Sequence, residues 1–180
     1  MSSQLKNPVS KTDHSSGPDK APAVLVEYGD FQCPHCRAAF PIVKRLQKAL
    51  SANLKFVFRN FPLAEVHPDA LNAAKAAEAA SLQGKFWEMH DLIYENQENL
   101  DEASLLGFAE KLKLDLKLWK KAMADPAIEE RVEKDFEGGV RSGVNGTPSF
   151  FVNGFRYDGD WAYGTLLQVL EKVVEMEAKP

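Results

Sequence analysis

The hydrophobic pattern between residues 23 and 58 predicts a strand, a helix and a second strand. Residues 23–28, Ala-Val-Leu-Val-Glu-Tyr, form a mostly apolar run with β-branched side chains, which is typical of a buried strand. Apolar residues then recur every three or four positions across residues 34–50, as on one face of a helix: Phe40, Val43, Leu46 and Leu50. Residues 54–58, Leu-Lys-Phe-Val-Phe, alternate in part and predict the second strand.

A helical region and a hairpin follow. Across residues 68–140 the apolar residues keep helical spacing, which predicts several consecutive helices. Residues 149–152, Ser-Phe-Phe-Val, and residues 155–157, Phe-Arg-Tyr, flank Asn153-Gly154, a pair that is typical of a two-residue hairpin turn. The apolar positions after this hairpin predict a final helix. The predicted element order is therefore β-α-β, several helices, and then β-β-α.

Residues 1–22 lack this pattern. They are mostly polar, and Gly17-Pro18 and Ala21-Pro22 oppose regular structure. We therefore expect a flexible leader over residues 1–22. A chain of 180 residues with 44% hydrophobic content is long enough to bury one good-sized core, so we expect a single domain over residues 23–180.

Charge and hydropathy bear on the partners and the location of the protein. The net charge is −4, and the absence of a basic block in the sequence argues against a nucleic-acid partner. No stretch approaches the 18 apolar residues of a membrane-spanning helix, and the N-terminus lacks the apolar core of a secretory signal. We therefore expect no transmembrane segment and a cytoplasmic location. A periplasmic or extracytoplasmic location is the alternative if a signal peptide has been removed.

The chain's two cysteines form the motif Cys33-Pro34-His35-Cys36 at the junction between the first strand and the first helix. Pro34 suits the first turn of a helix, which leaves Cys33 at the exposed helix start. The unpaired N–H groups and the dipole of a helix N-terminus favour negative charge, so the pKa of the Cys33 thiol should lie below its ordinary value near 8.5. The motif therefore predicts a reactive thiolate at Cys33.

A structural zinc site is one alternative for these cysteines. Such a site needs about four ligands, and outside the motif the sequence offers only His14, His67 and His90, none at paired metal-ligand spacing. Two unrelated buried cysteines are another alternative, but they would not need to flank Pro and His where a strand meets a helix. We therefore favour redox chemistry and expect no metal.

The element order, the motif and Gly146-Thr147-Pro148 before a strand resemble the DsbA-like branch of the thioredoxin superfamily. The likeness covers roughly residues 17–175, and it is closest to a signal-less subgroup, similar to the thioredoxin-like domain fused to some sodium/proton antiporters. Five further stretches carry it: Val26–Phe31, Arg59–Leu63, Val66–Pro68, Gln83–His90 and Gly143–Pro148. The resemblance implies an α/β thioredoxin fold with a helical insertion, about residues 68–142, between the second strand and the cis-proline loop.

The resemblance also implies roles for individual residues. Cys33 would attack, Cys36 would resolve the mixed disulfide, and His35 between them would tune the pair. Glu27 matches an acidic residue that would be buried and take up the proton of Cys36, although a solvent-facing edge carboxylate is the alternative. Pro148 would be the cis-proline, with the Thr147 backbone offering hydrogen bonds to a client peptide.

The family activity is thiol-disulfide exchange, so we expect a protein disulfide oxidoreductase. It would have no cofactor other than the redox-active disulfide Cys33–Cys36, with protein or peptide thiols as clients and a recycling partner of unknown identity. A cytoplasmic thiol reductase with the same motif is one alternative. A redox-sensing or metal-binding module that binds a partner is the other. Trp87, His90 and Trp119 are expected to pack within the insertion, and His67 to serve the start of a helix.

Overall fold

The computed structural model describes residues 3–178 and arranges five strands in one sheet. These are β1 (His14–Ser16), β2 (Ala23–Gly29), β3 (Leu54–Asn60), β4 (Ser149–Val152) and β5 (Phe155–Tyr157). Their order in the sheet is β1-β3-β2-β4-β5. β1 runs antiparallel to β3, and β4 runs antiparallel to both β2 and β5. The hairpin between β4 and β5 turns at Asn153 and Gly154, which both have positive φ angles, as the sequence pair predicts.

Seven α-helices accompany the sheet in the described residues: α1 (Pro34–Leu50), α2 (Ala70–Ser81), α3 (Phe86–Glu95), α4 (Glu102–Lys111), α5 (Leu116–Met123), α6 (Pro126–Arg141) and α7 (Tyr163–Glu177). α1 begins and ends at the residues that the apolar spacing predicts. Five helices, α2 to α6, lie between β3 and β4, in the region expected to be the insertion. The α/β thioredoxin fold is therefore confirmed. None of the helices between residues 3 and 178 has the length and apolar content needed to cross a membrane.

The chain divides into two compact units. Among the described residues, the first comprises residues 3–28, 38–59 and 138–178, and the second comprises residues 29–37 and 60–137. In the first unit the central strand β2 is almost wholly buried, with six of its seven residues buried. In the second unit α2 packs against α3, α4 and α5. The alanines of α2 are small enough to let these helices approach closely, and they form its buried surface.

The N-terminal segment corrects the prediction of a flexible leader. Residues 14–16 form β1, and the buried side chain of Arg59 holds the residues before it. Arg59 donates to both carboxyl oxygens of Asp13, over 2.8 and 3.1 Å, and to the backbone carbonyls of Asn7 and Pro8, over 2.8 and 3.2 Å. The order of this segment was not predictable from apolar spacing, because a buried ion pair produces it. Met1 and Ser2 lie outside the described residues.

The same segment also contacts the opposite edge of the sheet. The Leu5 N–H donates to the Gly154 carbonyl over 2.9 Å, and the Arg156 N–H donates to the Ser3 carbonyl over 2.8 Å. After β1 the chain turns at Gly17, which has a φ of +97°. A Cβ at this position would lie 2.1 Å from the Leu54 carbonyl oxygen, so the turn requires glycine.

Candidate active site

Cys33 and Cys36 lie at the start of α1, as the sequence predicts. The Cys33 carbonyl accepts the Arg37 N–H over 3.1 Å, which makes Cys33 the N-cap of the helix and places Cys36 in its first turn. The structure corrects one expectation, because Cys33 is not exposed. Its accessible fraction is 4%, and that of Cys36 is 0%, whereas the intervening Pro34 and His35 are exposed.

The sulfur of Cys36 receives a backbone hydrogen bond. The Asp30 N–H donates to Cys36 Sγ over 3.4 Å, a distance within the range for a sulfur acceptor. The Asp30 carbonyl in turn accepts the Cys33 N–H over 3.1 Å. A backbone N–H aimed at a sulfur stabilises negative charge on it, as do the N–H groups of a helix N-terminus. This setting suits the ionisation that thiol-disulfide exchange requires.

The turn between β2 and α1 is held by a network of side chains. Gln32 and Asp69 bind each other twice, with Gln32 Nε2 donating to Asp69 Oδ2 over 3.0 Å and the Asp69 N–H donating to Gln32 Oε1 over 2.7 Å. Gln97 Nε2 donates to the carbonyls of Phe31 and Cys33, each over 2.8 Å. Gln97 therefore holds the backbone carbonyls of Phe31 and Cys33 in place.

Asp30 is the centre of a second set of contacts that the sequence did not reveal. Its Oδ1 accepts the Gln32 N–H over 2.7 Å, and its Oδ2 accepts the Leu63 N–H and a hydrogen from His67 Nδ1, each over 2.8 Å. The His67 carbonyl accepts the Ala70 N–H at the start of α2, as expected, and the contact of its ring with Asp30 is additional. The His67 ring contacts the carboxyl group of the residue whose backbone binds the Cys36 sulfur.

Aromatic side chains pack behind the turn. Phe31, which is 1% exposed, lies with its ring centroid 5.6 Å from that of His90 and 5.1 Å from that of Tyr94. The Tyr94 hydroxyl donates to the Asp30 carbonyl over 3.4 Å. His90 and Trp119 are both 3% exposed, which confirms that they pack within the insertion. The Trp119 indole N–H donates to the Ala76 carbonyl over 3.3 Å.

The other predicted site residues lie in the first unit. Glu27 is 3% exposed in the central strand β2, opposite Phe150 of β4, so the solvent-facing alternative is excluded. The Thr147–Pro148 peptide bond is cis, and both residues are half-buried immediately before β4. Within residues 3–178, no group of three or more His, Cys, Asp or Glu side chains is arranged to hold a metal ion.

Comparison with known proteins gives one family. A family model described as thioredoxin matches residues 9–172. Among curated proteins, the chain is 49% identical over 149 residues to the Na(+)/H(+) antiporter NhaA 1 of Salinispora arenicola, and 38% identical over 161 residues to that of Mycolicibacterium vanbaalenii. These alignments cover 83% and 88% of this chain but 23% and 26% of the antiporters. The chain thus spans about a quarter of the length of these relatives.

Solved structures share the fold over most of the chain. A thioredoxin-like oxidoreductase from Silicibacter pomeroyi has a TM-score of 0.82 at 26% identity, and the match covers 92% of this chain and 94% of that one. BdbD from Bacillus subtilis has the same TM-score and identity, with 97% of each chain covered. The alpha-DsbA1 protein of Wolbachia pipientis has a TM-score of 0.83 at 20% identity and 96% coverage of both chains, which supports the fold.

Proposed function

Because the chain belongs to the thioredoxin family, whose model matches residues 9–172, we propose that it exchanges disulfides with protein or peptide thiols through Cys33 and Cys36. The observation that carries this proposal is the placement of the two thiols at the N-terminus of α1, with a backbone N–H on the Cys36 sulfur. The likeness to a thioredoxin-like oxidoreductase at 26% identity supports it. DsbA-like structures share the fold.

The proposed reaction has two steps. The Cys33 thiolate attacks one sulfur of a client disulfide, a bond forms between Cys33 and the client, and the other client sulfur leaves as a thiolate that takes up a proton. The Cys36 thiol then loses its proton, and its thiolate attacks the Cys33 sulfur. The Cys33–Cys36 disulfide forms, and the client leaves as a dithiol. The reverse sequence oxidises a client dithiol and reduces the protein.

The proposal also gives roles to His35 and to the cis-proline loop. The exposed His35 lies between the cysteines, where its side chain would stabilise the reduced pair and make the disulfide a stronger oxidant. Pro34 before it starts the helix. In the role that the resemblance assigns to the loop, the backbone of Thr147 would form strand-like hydrogen bonds with a client peptide, and Pro148 would shape that contact.

The test is exchange with a peptide that contains two cysteines. The oxidised wild-type protein should form one peptide disulfide for each Cys33–Cys36 disulfide that is reduced, and its own disulfide should equilibrate with glutathione. Peptide oxidation no faster than in buffer would overturn the proposal. The position of the glutathione equilibrium then decides between a net oxidase and a net reductase, because the more oxidising the pair, the more it favours its reduced form.

Glu27 is proposed to accept the proton of Cys36 during resolution. Glu27→Gln should therefore slow resolution of the mixed disulfide by about tenfold and leave the first attack by Cys33 within about twofold. The same substitution should keep or raise the free energy of unfolding, since an amide avoids the cost of burying a charged carboxylate. Rapid-quench kinetics and urea denaturation measure the two effects. Unchanged resolution would remove Glu27 from the site.

A further inference from the structure

We propose that Asp30 and His67 are a positioning pair, which holds the Asp30 backbone N–H on the sulfur of Cys36 and thereby promotes closure of the Cys33–Cys36 disulfide. This inference rests on the proposed function and adds two residues to it. Neither residue reacts with the client in this scheme. Their effect on chemistry passes through one hydrogen bond, from Asp30 N to Cys36 Sγ over 3.4 Å.

The Asp30 side chain is held in position by burial and by hydrogen bonds. Its accessible fraction is 0%, and both carboxyl oxygens accept hydrogen bonds of 2.7 to 2.8 Å. Two of the three donors are the backbone N–H groups of Gln32 and Leu63. A carboxyl group held at both oxygens cannot rotate freely, so its own backbone is fixed too. The carboxyl contacts therefore help to set the direction of the Asp30 N–H toward Cys36, together with the Cys33 N–H and the Tyr94 hydroxyl that the Asp30 carbonyl accepts.

His67 is the side-chain member of this arrangement and is itself held in position. The His67 N–H donates to the Leu63 carbonyl over 2.9 Å, and the His67 carbonyl accepts the Ala70 N–H over 3.1 Å, at the start of α2. The imidazole ring is 20% exposed and directs Nδ1 at Asp30 Oδ2. The Phe61 N–H also donates to the Gly29 carbonyl over 2.8 Å, which ties the chain after β3 to the turn before the cysteines. The backbone that carries the His67 ring is therefore held in place by hydrogen bonds.

The hydrogen bond to Cys36 matters most when that sulfur carries charge. During resolution, the Cys36 thiol loses a proton, and its thiolate attacks the Cys33 sulfur as the bond to the client breaks. A backbone N–H stabilises the thiolate more than the thiol, because the interaction is then charge-assisted. It therefore also favours the reduced form over the disulfide, because a sulfur that can carry negative charge accepts this hydrogen bond more strongly than a neutral disulfide sulfur does. Weakening this contact should slow resolution and shift the equilibrium toward the disulfide.

The test compares His67→Leu, which removes the donor to Asp30, with His67→Gln, whose side-chain amide keeps a donor. His67→Leu should slow resolution about fivefold and shift the equilibrium with glutathione about threefold toward the Cys33–Cys36 disulfide, as expected for a partial loss of one hydrogen bond. Alkylation of Cys33 should stay within about twofold of wild type. His67→Gln should reverse at least half of the slowing of resolution and half of the shift in the glutathione equilibrium.

The control variant is Lys75→Met, which breaks an ion pair of 2.9 Å with Glu129 in the same unit and should leave all three measurements unchanged. A change in Cys33 alkylation as large as the change in resolution in His67→Leu, in either direction, would indicate general disruption of the turn and overturn the inference. Wild-type values for resolution and for the glutathione equilibrium in both His67 variants would also overturn the inference. The glutathione equilibrium needs no client protein, so a shifted equilibrium without peptide exchange would support the pair while the proposed function failed.

Discussion

Cys36→Ala should accumulate a mixed disulfide between Cys33 and a client, and Cys33→Ala should form none. The two sulfurs differ in position, because Cys33 caps α1 and Cys36 lies in its first turn. A thiol at the helix N-terminus ionises more readily, so Cys33 should be the attacking sulfur. Without Cys36, the Cys33–client bond cannot be broken from within the protein. Exchange with peptide substrates should fall to the background rate in both variants.

Mass spectrometry of the trapped species and pH-dependent alkylation test this division of roles. The reduced wild-type protein should be alkylated first at Cys33, with a midpoint below the ordinary thiol value near 8.5. The doubly substituted protein, Cys33→Ala with Cys36→Ala, serves as the control for non-specific labelling. Equal trapping by the two single variants, or faster alkylation of Cys36, would refute the assignment. The 4% accessible fraction of Cys33 makes labelling slower than for an exposed thiol without changing the order.

Arg59→Met should produce the largest loss of stability, a decrease in the free energy of unfolding of about 3–5 kcal/mol. The Arg59 and Asp13 side chains are 4% and 6% exposed, so the substitution leaves a buried carboxylate without its counter-ion. It also removes the donor to the carbonyls of Asn7 and Pro8 and to the Tyr28 hydroxyl. Burial disfavours the charged form of Arg59, but Asp13 and Tyr28 more than offset this effect, and the pKa of Arg59 is raised.

Urea denaturation with two matched variants separates the ion pair from general effects. Lys55→Met breaks the ion pair with Asp19, which is 89% exposed, and should cost less than about 1 kcal/mol. The double variant Arg59→Met with Asp13→Leu should recover part of the loss, because it removes the stranded charge as well. A loss for Arg59→Met no larger than that for Lys55→Met would show that the buried pair does not order the N-terminal segment.

Elements that bury an apolar face were predictable from the sequence. The β-branched run of β2, the apolar spacing of α1 and the Asn153-Gly154 turn each report local preferences, and each gave an element at its observed place. The cysteine pair was predictable for the same reason, since a strand, a proline and a helix follow one another along the chain. Local pattern and tertiary structure agree at these positions.

Polar contacts between distant residues were not predictable in this way. Arg59 and Asp13 are 46 residues apart, Asp30 and His67 are 37 apart, and Gln97 and Cys33 are 64 apart. None of these residues belongs to a periodic pattern, and each pairing depends on how the helices and strands pack. The contact of His67 with Asp30 and that of Gln97 with Cys33 were missed because both depend on this packing. β1 was missed because a strand of three residues has almost no periodicity to detect.

The N-terminal segment has a consequence for association between molecules. An exposed sheet edge offers unpaired N–H and C=O groups to any strand of another molecule, and it can seed aggregation. Residues 3–16 contact both edges of the sheet. β1 pairs with β3, and residues 3–5 lie beside the β5 hairpin. β1 is itself only three residues long, too short to template much pairing. Residues 3–16 therefore cover both edges of the sheet and oppose edge-to-edge association. A fragment that begins at residue 17 or 23 would expose both edges at once.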